Sequence, residues 1–220
     1  MKLSFIIPTY NDEKTIRDVI AEADKIGRDT FSHYEILVIN DGSFDKTGEI
    51  LATIKNQHVH VVTHKKNRGY GATIKELYEK ARYDWIFSLP GDYQIHPKEL
   101  LKLLPYKDRA DMIVGWRVKR NDPPMRLFQS WAYNTLLKYI YGLSLHDVNS
   151  VRLVSKKLLK SVRLESRSAF VDAELCVKAR KRGFKILEVP IDHRPSISRG
   201  SGAALTTTLP TILDMLRFRL

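Results

Sequence analysis

The first half of the chain alternates between short apolar runs and segments with helical spacing of apolar residues. Each apolar run has the length of a strand, and the segment after the first run places Ile16, Val19, Ile20 and Ala23 on one helical face. A series of this kind is typical of a mostly parallel sheet covered by helices, so we predict an α/β fold. The predicted strands are 3–7, 34–39, 59–63, 85–89 and 111–115, and the helices between them are 13–26, 46–55, 71–81 and 97–104.

Polar clusters follow three of the predicted strands at the point where each strand ends. They occupy residues 8–12, 40–43 and 90–94, and each contains an aspartate. Because the carboxyl ends of parallel strands meet at one edge of a sheet, we expect these clusters to lie together. Ligands of open α/β sheets bind at that edge, so the pattern predicts a binding site there.

The second half of the chain departs from this alternation. After a break at residues 122–124, an aromatic-rich helix is predicted over 125–141. A further helix over 172–182 ends at Gly183, because glycine readily adopts the backbone conformation that closes a helix. A last strand is predicted over 185–189.

The length of 220 residues suits one domain with a short appendage. We expect the domain to cover residues 1–204, with a first half over 1–115 and a second half over 116–204. A Ser/Gly-rich stretch near 194–204 predicts a flexible loop, and 205–220 predicts a C-terminal amphipathic helix.

The formal net charge of +12 favours a polyanionic partner, which can be nucleic acid, anionic lipid or a phosphorylated substrate. Nucleic acid is disfavoured, because the sequence shows no recognised nucleic-acid motif and the strand ends are acidic. The single cysteine, Cys176, excludes an intramolecular disulfide, and its apolar neighbours predict a buried thiol.

No apolar run in the sequence approaches the length of a membrane span. The apolar stretch after Lys2 is too short for a signal peptide, and no small-residue cleavage site follows it. We therefore expect a cytoplasmic protein that associates peripherally with the cytoplasmic face of a membrane.

Three segments, 4–11, 40–47 and 67–72, together resemble the family 2 glycosyltransferases. Those enzymes have the GT-A fold, a Rossmann-like, mostly parallel sheet flanked by helices. Within the family, the sequence is most similar to the polyprenyl-phosphate sugar synthases. The resemblance implies that residues 1–115 bind a nucleoside-diphosphate sugar, that 116–204 bind the acceptor, and that transfer inverts the anomeric configuration.

The resemblance also implies a nucleoside pocket lined by Pro8, Tyr10, Asp12 and Asp41. A carboxylate at a strand end can accept hydrogen bonds from a base N–H or from ribose hydroxyls. The residues alone leave simpler roles open: Asp12 also fits as the N-cap of helix 13–26, and Asp41 as part of a turn.

The metal motif differs from the family pattern. Family members carry Asp-x-Asp after the fourth strand, whereas this chain has Pro90, Gly91 and Asp92. The resemblance implies that Asp92 binds the donor diphosphate, takes part in catalysis and, with Gln94, holds Mg²⁺ or Mn²⁺. Since Mg²⁺ often takes only one or two protein carboxylates, such a site is chemically possible although one aspartate is replaced.

On the acceptor side, the resemblance implies a phosphate site made by Arg117, Arg126 and Ser130. A guanidinium matches the geometry of phosphate oxygens, and residues four apart on a helix share one face. Asp147 and Arg152 belong to a stretch that resembles another family segment but lacks its glycine.

The resemblance implies three further catalytic candidates: Asp172, Glu174 and Arg199. Either carboxylate can act as general base toward a hydroxyl acceptor. A phosphate monoester needs no base, because it is largely dianionic at neutral pH. Arg199 lies in the Ser/Gly-rich stretch and can offset charge on the leaving nucleotide, as can His193 and Arg194.

Three functions therefore remain open at this point. The first is sugar transfer to a polyprenyl phosphate, dolichyl or undecaprenyl, at an anionic membrane surface. The second is transfer to a hydroxyl of a saccharide or lipid. The third is a catalytically impaired fold that binds nucleotides. The sequence does not specify the base, the sugar or an oligomeric state.

Overall fold

The computed structural model describes residues 1–118, 123–195 and 205–218, with side chains described from residue 210 onward in the last segment. The strands are β1 (Lys2–Thr9), β2 (His33–Asn40), β3 (Val59–Thr63), β4 (Trp85–Ser88), β5 (Met112–Arg117), β6 (Arg152–Ser155) and β7 (Ile186–Ile191). The helices are α1 (Ile16–Thr30), α2 (Thr47–Ala52), α3 (Tyr70–Lys80), α4 (Leu100–Leu103, between 3₁₀ turns Pro97–Glu99 and Leu104–Tyr106), α5 (Pro124–Tyr141), α6 (Lys156–Ser161), α7 (Val171–Lys181) and α8 (Leu205–Arg217).

In the described part of the chain, seven strands form one sheet in the order β3-β2-β1-β4-β6-β5-β7. Strand β6 runs antiparallel to β4 and β5, and every other neighbouring pair is parallel. The predicted fold class, a mostly parallel sheet flanked by helices, is confirmed. Strand β6 and the short helix α6 behind it were missed, because only Leu153 and Val154 of the four residues of β6 are apolar, and so short a run gives no usable periodicity.

The two faces of the sheet each carry a helical layer, and the alternation along β1 shows how. Leu3, Phe5 and Ile7 pack into one core with α1 and α4, whereas Ile6 belongs to a second core with α3 and α7. Since successive side chains of a strand point to opposite faces, a central strand that is buried on both sides is mostly apolar, and the buried Ser4 of β1 donates its hydroxyl to Glu35 at 2.6 Å. Cys176 is buried in the second core, as predicted.

Helix α8 is attached to the rest of the protein by hydrogen bonds from two segments: the end of α5 and the loop before α7. The Tyr141 hydroxyl, at the end of α5, donates to the carbonyls of Met215 and Phe218. Asp214 accepts hydrogen bonds from the hydroxyls of Ser166 (2.6 Å) and Ser168 (2.7 Å). The division of the chain into two functional halves with an appended helix stays a prediction.

One sequence expectation about α1 was wrong. The helix begins at Ile16, and the residue before it, Thr15, makes no side-chain capping bond. Asp12 takes part through its backbone carbonyl, which accepts from the N–H groups of Thr15 and Ile16. Its carboxylate instead accepts hydrogen bonds from the Thr9 hydroxyl and the Tyr10 N–H, at the polar edge of the sheet.

Helix α3 begins in close contact with the segment before α7. A Cβ added at Gly71 would lie 2.5 Å from the Arg167 carbonyl oxygen and 2.6 Å from that of Ser168. We expect Gly71→Ala to destabilise the fold by about 1–3 kcal/mol in urea unfolding, because backbone atoms cannot yield as side chains do. The control is Gly48→Ala in α2, where the nearest atom is the Asn40 side-chain nitrogen at 3.2 Å. An equal loss in both variants would contradict this account.

Candidate active site

The loops after β1 and β2 are joined at the carboxyl edge of the sheet. The Asn11 N–H donates to the Ser43 hydroxyl (3.0 Å), and the Asn11 side chain accepts from the Phe44 N–H (3.0 Å). The Asp12 N–H donates to the Thr47 hydroxyl at 2.9 Å. These bonds join residues more than thirty positions apart, so the two predicted polar clusters form one surface.

Asp12 lies buried at the centre of this surface, 8% exposed. Its Oδ2 accepts from the Thr9 hydroxyl (2.7 Å) and from the Tyr10 N–H (3.1 Å). Burial, together with the negative charges of Asp92 and Asp45, raises the pKa of Asp12 to about 6 despite the bond from Thr9. The carboxylates of Asp12 in the first cluster and Asp92 in the third cluster therefore interact electrostatically.

Asp41 is 4% exposed and organises the loop that follows β3. Its Oδ1 accepts from the His64 ring nitrogen Nδ1 (2.7 Å) and the Arg68 N–H (2.9 Å), and its Oδ2 accepts from the Gly69 N–H (2.9 Å). Gly69 has a φ of +87°, which suits glycine. Asp41 thus shapes the 64–69 loop, and its Oδ2 keeps acceptor capacity for a ligand.

The other two residues predicted for the nucleoside pocket, Pro8 and Tyr10, lie at the same edge and are half-buried. The Tyr10 ring meets the 83% exposed ring of Phe44 edge to face, with centroids 6.1 Å apart. These rings offer an aromatic surface beside Asp12 that a nucleobase can contact.

The loop after β4 is attached to β1 from the other side. The Gly91 N–H donates to the Pro8 carbonyl (3.3 Å), and the Thr15 hydroxyl donates to the Gly91 carbonyl (2.7 Å). A Cβ at Gly91 would lie 2.7 Å from Asp12 Oδ2. Only a residue without a side chain lets this loop approach so closely, and the next residue in it is Asp92.

Asp92 is half-buried, and its environment combines burial with nearby cations. Burial raises its pKa, whereas the Gln94 N–H, at 3.0 Å from Oδ1, and the charges of Arg126 and Arg117 act in the opposite direction. Arg117 and Arg126 are two of the three residues predicted to bind the acceptor phosphate. Their charges therefore act on the predicted donor side of the site.

The donor set around Asp92 fits a divalent cation held partly by a substrate. Within the described residues, no group of three or more His, Cys, Asp or Glu side chains could hold a metal ion. Gln94 is 6% exposed; its Oε1 is the side-chain atom that can bind a cation, whereas its Nε2 is a donor and has no hydrogen-bond partner among the described residues. One carboxylate and one amide suit Mg²⁺, because its other ligands are commonly water and phosphate oxygens.

Arg117, at the end of β5, is held in place by Asp147. Its Nε and Nη2 donate to the two carboxylate oxygens of Asp147 at 2.6 and 2.7 Å. Arg126 and Ser130 are half-buried, and they lie one turn apart near the start of α5. The acidic edge of the sheet is thus bordered by cations on the side of α5.

The two candidate bases, Asp172 and Glu174, are both engaged in buried contacts. Asp172 forms an ion pair with Arg152 (3.0 Å) and accepts from the Tyr70 hydroxyl (3.0 Å). Glu174 is completely buried; it pairs with Lys178 (2.6 Å) and accepts from the N–H groups of Glu165 and Ser166. Among the residues that the structure describes, no hydrogen-bond partner of Glu174 comes from the strand-end loops.

The segment after β7 reaches the Asp92 loop. The Arg194 N–H donates to the Gln94 carbonyl (2.8 Å), and its guanidinium lies 6.0 Å from the centroid of the Tyr93 ring. His193 is buried beside it. Arg199, the remaining catalytic candidate, lies outside the described residues, as does most of the predicted flexible loop.

The family model described as Glycosyl transferase family 2 matches residues 4–163, which contain all three strand-end clusters. The chain belongs to glycosyl transferase family 2. The resemblance inferred from the three sequence segments is thereby confirmed, as is the classification of the chain as a glycosyltransferase.

Curated relatives of this family 2 chain transfer sugars to lipid carriers, according to their names. It is 26% identical to dodecaprenyl-phosphate galacturonate synthase of Rhizobium johnstonii over 98% of its length. It is 28% identical to polyprenol monophosphomannose synthase of Mycolicibacterium smegmatis over 90%, and 31% identical to undecaprenyl-phosphate 4-deoxy-4-formamido-L-arabinose transferase of Shewanella sediminis over 77%. The chain covers 66%, 80% and 53% of these three relatives, respectively.

Solved structures share the fold. Glucosyl-3-phosphoglycerate synthase from Mycobacterium tuberculosis, in complex with Mn²⁺, uridine diphosphate and glucosyl-3-phosphoglycerate, superposes with a TM-score of 0.78 at 18% identity. The match covers 98% of this chain and 79% of that one. The same enzyme with Mg²⁺ and uridine diphosphate gives 0.77 at 17% identity, covering 98% and 78%. This likeness shows the GT-A fold of the family 2 chain.

Sequence reasoning missed two residues of the site, His64 and Tyr70. His64 directly follows β3, so the strand-end rule that selected the other clusters would have found it. Tyr70 carries no such signal, because its partner Asp172 is 102 positions away in sequence.

The raised pKa of Asp12 leads to a prediction about stability. In the unfolded chain this carboxyl ionises near pH 3.8, but in the folded protein it ionises near 6. Its stabilising contribution is complete below the first value and is lost as pH rises through the second. We expect Asp12→Asn, which keeps an acceptor for Thr9, to raise the free energy of unfolding at pH 8 by about 1–2 kcal/mol.

Urea unfolding at pH 5 and pH 8 measures this effect, and the gain should be larger at pH 8. Asp29→Asn is the matched control, since Asp29 is exposed at the end of α1. A variant that is less stable than the unchanged protein at pH 8 would show that the ionised carboxylate stabilises the fold.

Proposed function

We propose that this chain transfers a sugar from a nucleoside-diphosphate sugar to a polyprenyl phosphate, with inversion. The observation that carries the proposal is that the positive charges of Arg117 and Arg126 act on Asp92 at the carboxyl edge of the sheet. A carboxylate that can hold a cation on the donor diphosphate is thereby within electrostatic reach of guanidinium groups that can hold an acceptor phosphate. The names of the three curated relatives support a sugar and a polyprenyl phosphate as the groups that are joined.

The donor nucleoside is assigned to the joined loops after β1 and β2. Asp12 and the remaining acceptor capacity of Asp41 Oδ2 are available to base or ribose donors, and Tyr10 offers a ring face. Asp92 and Gln94 would hold Mg²⁺ or Mn²⁺, which would offset negative charge on the diphosphate. The solved structures with uridine diphosphate and Mn²⁺ or Mg²⁺ support divalent metal use on this fold.

The state of the two candidate bases favours a phosphate acceptor over a hydroxyl acceptor. A hydroxyl needs a general base, but Asp172 is bound to Arg152 and Glu174 to Lys178. A phosphate monoester is already largely dianionic at neutral pH and can attack without losing a proton to the enzyme. The chain's own residues would then bind, orient and neutralise charge.

The outer face of α5 is assigned to a membrane surface. Its exposed large apolar side chains include Met125 (67%), Phe128 (60%), Trp131 (63%) and Tyr139 (81%). Within the described part of the chain, no helix is long and apolar enough to cross a membrane. An apolar helix face on a chain of net charge +12 suits the headgroup layer of an anionic membrane, where the lipid acceptor resides.

A transfer assay tests the function directly. The unchanged protein is incubated with UDP- or GDP-sugars, Mg²⁺ or Mn²⁺, and either undecaprenyl phosphate or undecaprenol. We expect an acid-labile, organic-extractable sugar product only with the phosphate. A product with the free alcohol would establish a hydroxyl acceptor, and no product with any donor would support a catalytically impaired fold.

Thermal shift with UDP and GDP, with and without metal, tests the donor site. We expect one nucleotide with Mg²⁺ or Mn²⁺ to stabilise the protein by about 2.7 kcal/mol at a hundred times its Kd. Asp92→Asn should remove the part that depends on metal, because an amide is a weaker cation ligand than a carboxylate, whereas Asp29→Asn should not. A metal-dependent shift that survives Asp92→Asn would contradict the assignment of Asp92.

Vesicle co-sedimentation tests the membrane surface. We expect the double substitution Phe128→Ser and Trp131→Ser to lower binding to vesicles containing phosphatidylglycerol about tenfold or more, because two rings lose an apolar environment. Leu101→Ser is the control, since Leu101 is 46% exposed on α4. Equal binding by all variants would refute the role of α5.

A further inference from the structure

A buried ion pair lies directly below the strand-end site. Arg152 is 1% exposed and Asp172 is 4% exposed. Arg152 Nη2 lies 3.0 Å from Asp172 Oδ1, and Nη1 donates to the Asp172 carbonyl at 3.3 Å. The functions assigned so far to the site make no use of this pair.

The antiparallel direction of β6 explains why the pair is near the site. Arg152 is the first residue of β6, and in the sheet it pairs with Ser88 of β4 and with Val114 of β5. Ser88 is the last residue of β4, so the amino end of β6 meets the carboxyl end of β4. Arg152 therefore enters the protein just beneath the loop that carries Asp92.

On the acceptor side, Arg152 holds the segment before β6. Its Nη2 donates to the carbonyls of Val148 and Ser150, each at 3.1 Å. Val148 follows Asp147, the residue that holds Arg117 through two hydrogen bonds. The position of the Arg117 guanidinium thus depends on a segment that Arg152 fixes.

On the donor side, Asp172 holds the start of α3. The Tyr70 hydroxyl donates to Asp172 Oδ2 at 3.0 Å, although the residue as a whole is 39% exposed. Tyr70 follows Gly69, whose N–H donates to Asp41 Oδ2. The loop that Asp41 shapes is therefore anchored at its far end by Asp172.

The energetics do not account for this pair as a source of stability. Burial raises the pKa of Asp172 even though Arg152 lies beside it, so ionising this carboxyl is less favourable in the protein than in water. Buried ion pairs can often be replaced by apolar residues of similar volume without loss of stability. A role in fixing neighbouring segments is the better explanation.

We propose that Tyr70, Asp172 and Arg152 form a positioning unit that sets the donor loop 64–70 and the acceptor segment 147–150 at the separation required for transfer. These are positioning residues, which act through Asp41 and Arg117 rather than on a substrate. The inference rests on the proposed function, because it concerns the alignment of the two substrates assigned there.

Tyr70→Phe tests the unit with the loss of a single hydroxyl. We expect kcat to fall about tenfold or more while both KM values stay within roughly threefold, because each substrate still binds but the reacting atoms are misaligned. Nucleotide affinity measured by calorimetry should likewise stay within roughly threefold. Tyr83→Phe is the matched control; Tyr83 precedes β4, at the opposite edge of the sheet, and should keep the unchanged kcat.

A second variant separates positioning from stability. The double substitution Arg152→Met and Asp172→Leu removes both charges at similar volume, and we expect it to fold with reduced kcat. Full activity in this variant would overturn the proposal, as would a Tyr70→Phe kcat within about twofold of the unchanged protein. If the double variant does not fold, the result for Tyr70→Phe decides alone.

The kinetic pattern also separates this inference from the proposed function. A rise in donor KM at constant kcat in Tyr70→Phe would make Tyr70 part of the nucleotide pocket and overturn the positioning role. Absence of transfer by the unchanged protein would refute the proposed function and this inference together. Normal transfer by both the unchanged protein and Tyr70→Phe would refute the inference alone.

Discussion

The site depends on two backbone hydrogen bonds that attach neighbouring loops to the end of β1. The Asp41 N–H donates to the Thr9 carbonyl, and the Gly91 N–H donates to the Pro8 carbonyl. Because β1 lies between β2 and β4, its last residues hold one loop on each side. Asp12 and Asp92 thereby lie in a poorly solvated region, where burial raises the pKa of both carboxyls and nearby positive charge favours their ionised forms.

The positive charge that acts on Asp92 comes from a later part of the chain. Arg117 and Arg126 come from β5 and α5, which follow the strand-end loops in sequence, yet their charges reach Asp92. Asp147 in turn holds Arg117 by two bonds, so this guanidinium has a defined direction before any ligand arrives. A carboxylate and two guanidinium groups whose charges interact at one edge of the sheet support the proposed reaction between two phosphate-bearing substrates.

The sequence predicted where the candidate site residues lie in the fold, but it did not predict which side chains they contact. The alternation of apolar runs predicted the sheet, and the carboxyl-edge rule placed Asp12, Asp41 and Asp92 together. Whether Asp172 faces a cleft or Arg152 could not be predicted, because that depends on β6, a strand too short to detect and opposite in direction to its neighbours. The same limit applies to Glu174, since its partners Glu165 and Ser166 come from a loop without a distinctive pattern.

Helix α5 has a half-buried polar side and an exposed apolar side within a single turn. Arg126 and Ser130 are half-buried on its inner side, while Phe128 is exposed on the outer side only two positions from Arg126. With a rise of 1.5 Å per residue, the two side chains are separated by roughly 3 Å along the axis. In the proposed arrangement on a membrane, the depth of the Phe128 ring among the lipid headgroups would therefore set the height of the Arg126 guanidinium above the bilayer. That height would in turn determine how far the phosphate of a carrier lipid must extend from the bilayer to react.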